Sequence, residues 1–243
     1  MSRIVAVARA VVADAIRRRI VWVVALFSLV LAAVIPALPS YGVGVADAVY
    51  REIALAMTYV AAIVVALVLS VARIPGEIER RTLYTLLTRD VRRWEYVCGT
   101  WAGIAFTLAV AVLVFGTIVF AVGWVVYGAP MWQLWQGALA IWMQAAIVAA
   151  LAVAVSTVTI PVIVAVGSLA FLFIAQVRAD LLGGPGHPLW NLYPSLDTFN
   201  IIAPVAHGAG VPLAYVATMA FAFLAWTAAL LTFGALGFSR RDL

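Results

Sequence analysis

The side chains able to do chemistry are few and gather in one stretch. It runs from Arg73 to Gly99 and reads Arg-Ile-Pro-Gly-Glu-Ile-Glu-Arg-Arg-Thr-Leu-Tyr-Thr-Leu-Leu-Thr-Arg-Asp-Val-Arg-Arg-Trp-Glu-Tyr-Val-Cys-Gly. Glu77 stands four residues before Arg81, the favourable order for an ion pair on a helix. Leu83, Leu86 and Leu87 form an i, i+3, i+4 apolar stripe opposite a polar face. The spacing predicts a short amphipathic helix over about 77–88, with Pro75-Gly76 breaking the chain before it. Such a helix is too short to stand alone and must dock on something. Its chemistry is recognition, not catalysis.

Other chemistries lack their residues. All fifteen basic residues are arginine. Without lysine there is neither a Walker A loop for nucleotide phosphates nor a Schiff-base nucleophile. The lone Cys98 excludes an internal disulfide and a cysteine-built metal site. His187 and His207 lack metalloprotease spacing and read as loop residues, so no metal site is expected. No nucleophile–base pair is visible.

The elements that must carry the Arg73–Gly99 stretch are apolar. Of 243 residues 67% are hydrophobic and 10% charged, and the mean hydropathy is +1.14. A soluble domain has roughly 45–50% and about 25%. The fold class is therefore an all-α integral membrane protein. About 20 apolar residues cross a bilayer core of roughly 30 Å. Six spans are read, at 20–38, 53–72, about 97–126, about 134–155, about 160–177 and about 212–236. No Asp, Glu or Arg occurs from Tyr96 to Val177. The turn signals inside that stretch are Tyr127-Gly128-Ala129-Pro130 and the weaker Ser156 to Pro161.

Six spans put thirteen of the fifteen arginines on one side, leaving Arg51 and Arg178 on the other. The positive-inside rule makes the arginine side cytoplasmic, with both termini there. The arginines flank apolar segments and do not cluster on a soluble face, so no nucleic-acid partner is expected. Residues 1–19 read as an amphipathic helix, with Ile4, Val5, Val11, Val12 and Ile16 on one arc and Arg3, Arg9, Asp14 and Arg17 on the other. It either lies on the cytoplasmic membrane surface among the lipids or extends span one into water. Asp14 suits ion pairs with Arg17 and Arg18. A secretory signal peptide is a poor reading, because the segment before Arg17-Arg18-Arg19 is too long.

No ionisable residue lies deep in a span, which argues against a proton-coupled carrier, an ion pump or a channel. What remains inside is packing chemistry. Gly99 and Gly103 form a GxxxG pair that would let a neighbouring helix approach closely. Gln136, Gln144, Ser168 and Gln176 either line a cavity or bond across helices. Trp132 and Trp135 read as interface anchors, and Arg51 as snorkelling outward.

The pattern Glu77-x-Glu79-x-x-Thr82-Leu83-x-x-Leu86-Leu87-Thr88, then Val91-x-Arg93-x-x-Tyr96-x-x-Gly99, resembles the first cytoplasmic loop of ABC type-2 permeases. These are the membrane subunits of one class of ATP-driven exporters. Asp90 stands where the family has Pro, and Thr100 where it has Lys. The six-span plan, the basic first helix, the long outer segment 179–211 and the Phe238-to-Leu243 ending extend the likeness over one permease domain, residues 1–243. The resemblance implies a dimer with a second copy or a homologous permease, and two copies of a separate ATPase that binds ATP and Mg. It makes 73–96 the coupling loop. Glu77, Glu79, Arg80, Arg81, Thr82 and Leu83 would contact the ATPase, and Arg93 and Tyr96 would anchor the return into span three. This chain would then be a non-catalytic subunit of the cell (inner or plasma) membrane, with no cofactor of its own. An apolar path suits an amphipathic cargo better than an ion. A permease serving maturation of an extracytoplasmic metal enzyme and a non-transporting scaffold remain open alternatives.

Overall fold

The computed structural model describes residues 3–17, 26–27, 29–30, 46–71, 73–79, 92–128, 130–182 and 196–239. Among these there is no strand. The helices are α1 (Arg3–Arg17), α2 (Ala46–Ser70), α3 (Arg73–Glu79), α4 (Arg93–Tyr127), α5 (Leu134–Ser156), α6 (Pro161–Leu182), α7 (Ile202–Ala206) and α8 (Leu213–Ser239). A 3-10 turn at Leu196–Phe199 precedes α7.

Four segments are long and apolar enough to cross a membrane: Asp47–Gly76, Arg93–Tyr127, Leu134–Ser156 and Leu213–Ser239. They hold the second, third, fourth and sixth of the spans read from the sequence. The fifth is present as a shorter apolar helix, Pro161–Val177. The first, 20–38, lies outside the described residues except for the helical positions 26, 27, 29 and 30.

Helix α5 is the hub, with α2, α4, α6 and α8 packed around it. Every residue from Ala145 to Ala150 is wholly buried. The reason is composition: alanine-rich faces let neighbouring helices come close, and close packing rather than hydrophobicity holds helices together in lipid. A Cβ on Gly234 of α8 would lie 2.8 Å from the Cα of Ala154. In contrast, α8 buries a single stripe, Met219, Phe223, Thr227, Leu231, Gly234 and Phe238. Phe221, Leu224, Phe233 and Leu236 stay exposed, as expected of a helix that is apolar all round and faces lipid or another subunit.

Two tryptophans fasten α4 to α5. The Trp101 indole N–H donates to the Ala146 carbonyl at 3.0 Å, and that of Trp142 donates to the Ala105 carbonyl at 2.9 Å. Phe223 of α8 sits against both rings, at 6.4 and 5.4 Å. Each indole thus satisfies its one donor while its ring fills the three-helix contact.

Within the segment 179–211, read from the sequence as an outer loop, the described residues include helical turns. Helix α6 continues through Leu182, and the 3-10 turn and α7 pack against α2, α5 and α6. Leu196, Phe199, Ile201, Val205 and Ala206 are buried. An apolar stretch of this length is too short to cross and instead re-enters the bundle. The chain returning from α7 is tied to the start of α5. Gln136 donates to the Val211 carbonyl at 3.2 Å and accepts the Val211 N–H at 2.9 Å; Gln133 donates to the Gly208 carbonyl at 3.2 Å. Arg51 does not snorkel outward. Its side chain pairs with Asp47, is 11% exposed and lies under Gly208. Gly208 has φ +75°, and a Cβ there would meet the Arg51 guanidinium at 2.9 Å. Gly208→Ala is therefore expected to cost about 1–2 kcal/mol, read as a lower melting temperature of the purified protein; an unchanged melt would remove Gly208 from the fold argument.

Trp132 is 65% exposed, in keeping with an interfacial anchor. Trp135 packs inward instead, its ring 6.2 Å from Phe120 and its edge within reach of Gly116.

Candidate functional site

The helices run alternately up and down, which collects particular ends together. At one end, Tyr50 near the start of α2 donates to the Val119 carbonyl of α4, and its ring lies 5.3 Å from that of Tyr127. The opposite end holds the end of α2, all of α3, the start of α4, the end of α8, and α1. Among the described residues this second end carries Arg3, Arg9, Arg17, Arg73, Arg92 and Arg93.

Helix α3 begins at Arg73. Pro75-Gly76, expected to break the chain, thus lies within a helix. Pro75 occupies the third helical position, where the N–H has no intrahelical acceptor, so proline is tolerated. Arg73 bonds the Asp14 carboxylate of α1. Asp14, expected to serve Arg17 and Arg18 within its own helix, thereby reaches across to the start of α3. The sequence offered no signal for this pair, which lies 59 residues apart.

The first turns of α4 receive two partners. One is α1. The Gly99–Gly103 pair is the seam: a Cβ on Gly99 would stand 2.7 Å from the Val7 Cβ, and one on Gly103 would stand 2.7 Å from the Ala8 carbonyl oxygen. Val7, Val11 and Ala15 are the buried residues of α1. The packed face is thus turned from the arc expected: Ile16 is 63% exposed and Val5 45% exposed. Those two, with Val12 and Phe106, line an open apolar groove of about 480 Å³ edged by Arg9. Arg3 lies 3.8 Å from Glu95, whose carboxylate also caps the start of α4 by accepting the Arg92 N–H at 2.9 Å.

The other partner is the end of α8. Arg93 donates to the Phe238 carbonyl at 2.8 Å and to the Ser239 carbonyl at 3.0 Å. Its guanidinium lies 5.7 Å from the centre of the Phe238 ring. Tyr96 is buried, with its ring 6.1 Å from the same phenyl. An arginine at the last carbonyls of a helix satisfies orphan acceptors and complements the negative end of the helix dipole. So Arg93 and Tyr96, 145 residues from Phe238 on the chain for the first of them, bind the last membrane helix to the charged stretch. Thr100, one residue beyond Gly99, is fully buried.

Glu77 and Glu79 lie in α3. Arg80, Arg81, Thr82 and Leu83, and with them most of the helix expected at 77–88, lie outside the described residues. The family model described as ABC-2 family transporter protein matches residues 5–243. The chain belongs to that family. No curated protein matches the sequence. The membership is that of a membrane permease of the ABC transporter type, a subunit of a kind that is generally not catalytic and works alongside an ATPase. In an ABC-2 permease the charged end just described is the natural candidate for the functional site. Of the elements that meet there, α3, α1, α4 and α8 are held each to the next by a named side-chain contact.

Proposed function

We propose that this permease is the transmembrane subunit of an ATP-driven exporter and that its arginine-rich end faces the cytoplasm. By the positive-inside rule, that side holds both termini. The reading sets two permease chains against two copies of a separate ATPase in the cell membrane. ATP and Mg are bound in the ATPase. Glu77, Glu79, Arg80, Arg81, Thr82 and Leu83 form the surface offered to it, and Arg93 and Tyr96 pass its movement inward. Helix α1, with Arg9 and Arg17 exposed beside Val5, Val12 and Ile16, lies along the membrane surface.

The observation that carries the reading is the chain of contacts at this end. A push on α3 acts through Arg73 on Asp14 and so on α1. From α1 it acts through the glycine seam on α4, and from α4 through Arg93 on the last turn of α8. Packed helices respond to such a push as rigid bodies that rock or hinge. Closure of the ATPases around ATP would thereby tilt α4 and α8 together and open a path on the far side. The spans carry no deep charge, which suits an uncharged or amphipathic cargo.

The test is co-purification of the membrane-extracted permease with the ATPase encoded beside it, comparing wild type with Glu77→Arg/Leu83→Asp. The ATPase is expected to co-purify with wild type and to be lost from the double variant. Absence of ATPase from the wild-type preparation would end the transporter reading and leave a membrane scaffold.

A further inference from the structure

One polar cluster takes no part in the coupling contacts. Tyr59 of α2, Gln144 of α5 and Gln176 of α6 meet inside the bundle. The Gln144 side-chain amide donates to the Tyr59 hydroxyl at 3.3 Å and the Gln176 amide donates to it at 3.0 Å. The three residues line a cavity of about 60 Å³ together with Ile141, Phe199 and Asn200. Gln144 is 2% exposed, whereas Asn200 is exposed and marks the mouth. The re-entrant 3-10 turn supplies one wall through Phe199.

A primary amide carries two N–H donors and one carbonyl acceptor. Tyr59 engages one terminal atom of each amide, whichever way the amides are turned. Both amides also line the cavity, so their remaining hydrogen-bonding capacity can serve what enters it. Polar capacity kept inside a membrane bundle is costly unless something occupies it. The volume suits a few waters or one small polar group. No lining residue is charged. An ionic group would enter without a counter-charge, while a hydroxyl or amide would find both donors and acceptors. Ile141 and Phe199 continue the wall as apolar surface.

We propose that this cavity binds the neutral, hydrogen-bonding head of an amphiphile, whose apolar chain lies along the bundle. As a cargo site the proposal rests on the exporter reading, but binding can be measured on the permease alone. The probe is radiolabelled 1-lauroylglycerol bound to the full chain in phosphatidylcholine nanodiscs. Unlabelled 1-lauroylglycerol competes in one series, and laurate, which has the same chain with a charged head, in the other. Saturable binding is expected, with laurate at least about tenfold weaker as a competitor. Tyr59→Phe and Gln176→Leu should each weaken binding about tenfold. Asn200→Ala, at the exposed mouth where folding is not at stake, should weaken it about threefold. Equal competition by laurate overturns the proposal, as does unchanged binding in Gln176→Leu and Asn200→Ala. Loss of ATPase co-purification with binding intact would strike only the exporter reading; intact co-purification without binding would strike only this site.

Discussion

Gly103→Leu is expected to strip α1 from the bundle. The leucine Cβ would start 2.7 Å from the Ala8 carbonyl oxygen and 2.7 Å from the Val11 Cβ. Neither atom is the tip of a flexible side chain, so neither can swing aside. Helix α1 must then move as a body, which exposes Val7, Val11 and Ala15 and stretches the Asp14–Arg73 link. Overpacking of this kind costs typically 1–3 kcal/mol, and contact with backbone puts Gly103 at the upper end, about 3 kcal/mol. Two readouts follow. The melting temperature of the detergent-purified permease should fall. Trypsin should cut at the exposed Arg9 and Arg17 at least about tenfold faster, because cleavage follows local opening. Val11→Ala should restore only a small part of the loss in a Gly103→Ala background, since it removes the Cγ1 at 3.0 Å but keeps the Cβ and the Ala8 carbonyl oxygen, each at 2.7 Å. Unaltered cleavage in Gly103→Leu would mean that α1 does not depend on the seam. The same variant should also uncouple transport from ATP hydrolysis if α1 relays the push from α3.

Arg93→Ala is expected to have the second large effect. It removes two charge-assisted hydrogen bonds to the last carbonyls of α8 and the contact with the Phe238 ring. Hydrogen bonds to a charged group contribute about 1.5–3 kcal/mol where they are shielded from water. The Arg93 contact with Ser239 is exposed, which argues for the lower half, about 2 kcal/mol. The end of α8 should then fray. Hydrogen exchange over residues 234–239 should accelerate, while exchange at the buried Ala145–Ala150 of α5 stays unchanged. Lysine at position 93 should recover only part, because an ammonium lacks the planar fork and stacks poorly on a phenyl ring. A purely local role predicts faster exchange with unimpaired ATP-driven transport. A coupling role predicts that transport fails while the ATPase still binds. Unchanged exchange at 234–239 would remove Arg93 from both roles.

Much of the arrangement was legible in the residues themselves. The uncharged stretches predicted α4, α5 and α8 to within about four positions at either end, because in lipid a helix must satisfy its own backbone over the full width; α2 was foreseen too, but it starts well before 53, at Ala46. Gly99 and Gly103 announced a close helix, and the seam with α1 is that contact. The likeness of Arg93 and Tyr96 to a family motif pointed to the end of the charged stretch. Of the polar residues flagged within spans, Gln136, Gln144 and Gln176 proved to bond across elements, and Gln144 and Gln176 also line a cavity.

Other features were hidden for physical reasons. The 196–206 segment carries Pro204 and is followed by Gly208 and Gly210, and such punctuation reads as loop. Its burial comes from the gap that α2, α5 and α6 leave open, which no local pattern records. The face by which α1 packs on α4 carried no signal of its own: of the arc Ile4, Val5, Val11, Val12 and Ile16 only Val11 is buried, and Val7 and Ala15 join it against the glycine seam. Trp101 and Trp142 showed no periodicity to betray their carbonyl partners.

Composition by itself determined that this is a helical membrane protein, because crossing lipid restricts a chain severely and locally; the permease reading came from the resemblance of the 77–99 stretch to a family motif. The tertiary structure decided which side chains meet. Asp14 with Arg73, Arg93 with Phe238, and Tyr59 with Gln144 and Gln176 are pairings between distant residues, and only helix packing brings them within bonding distance.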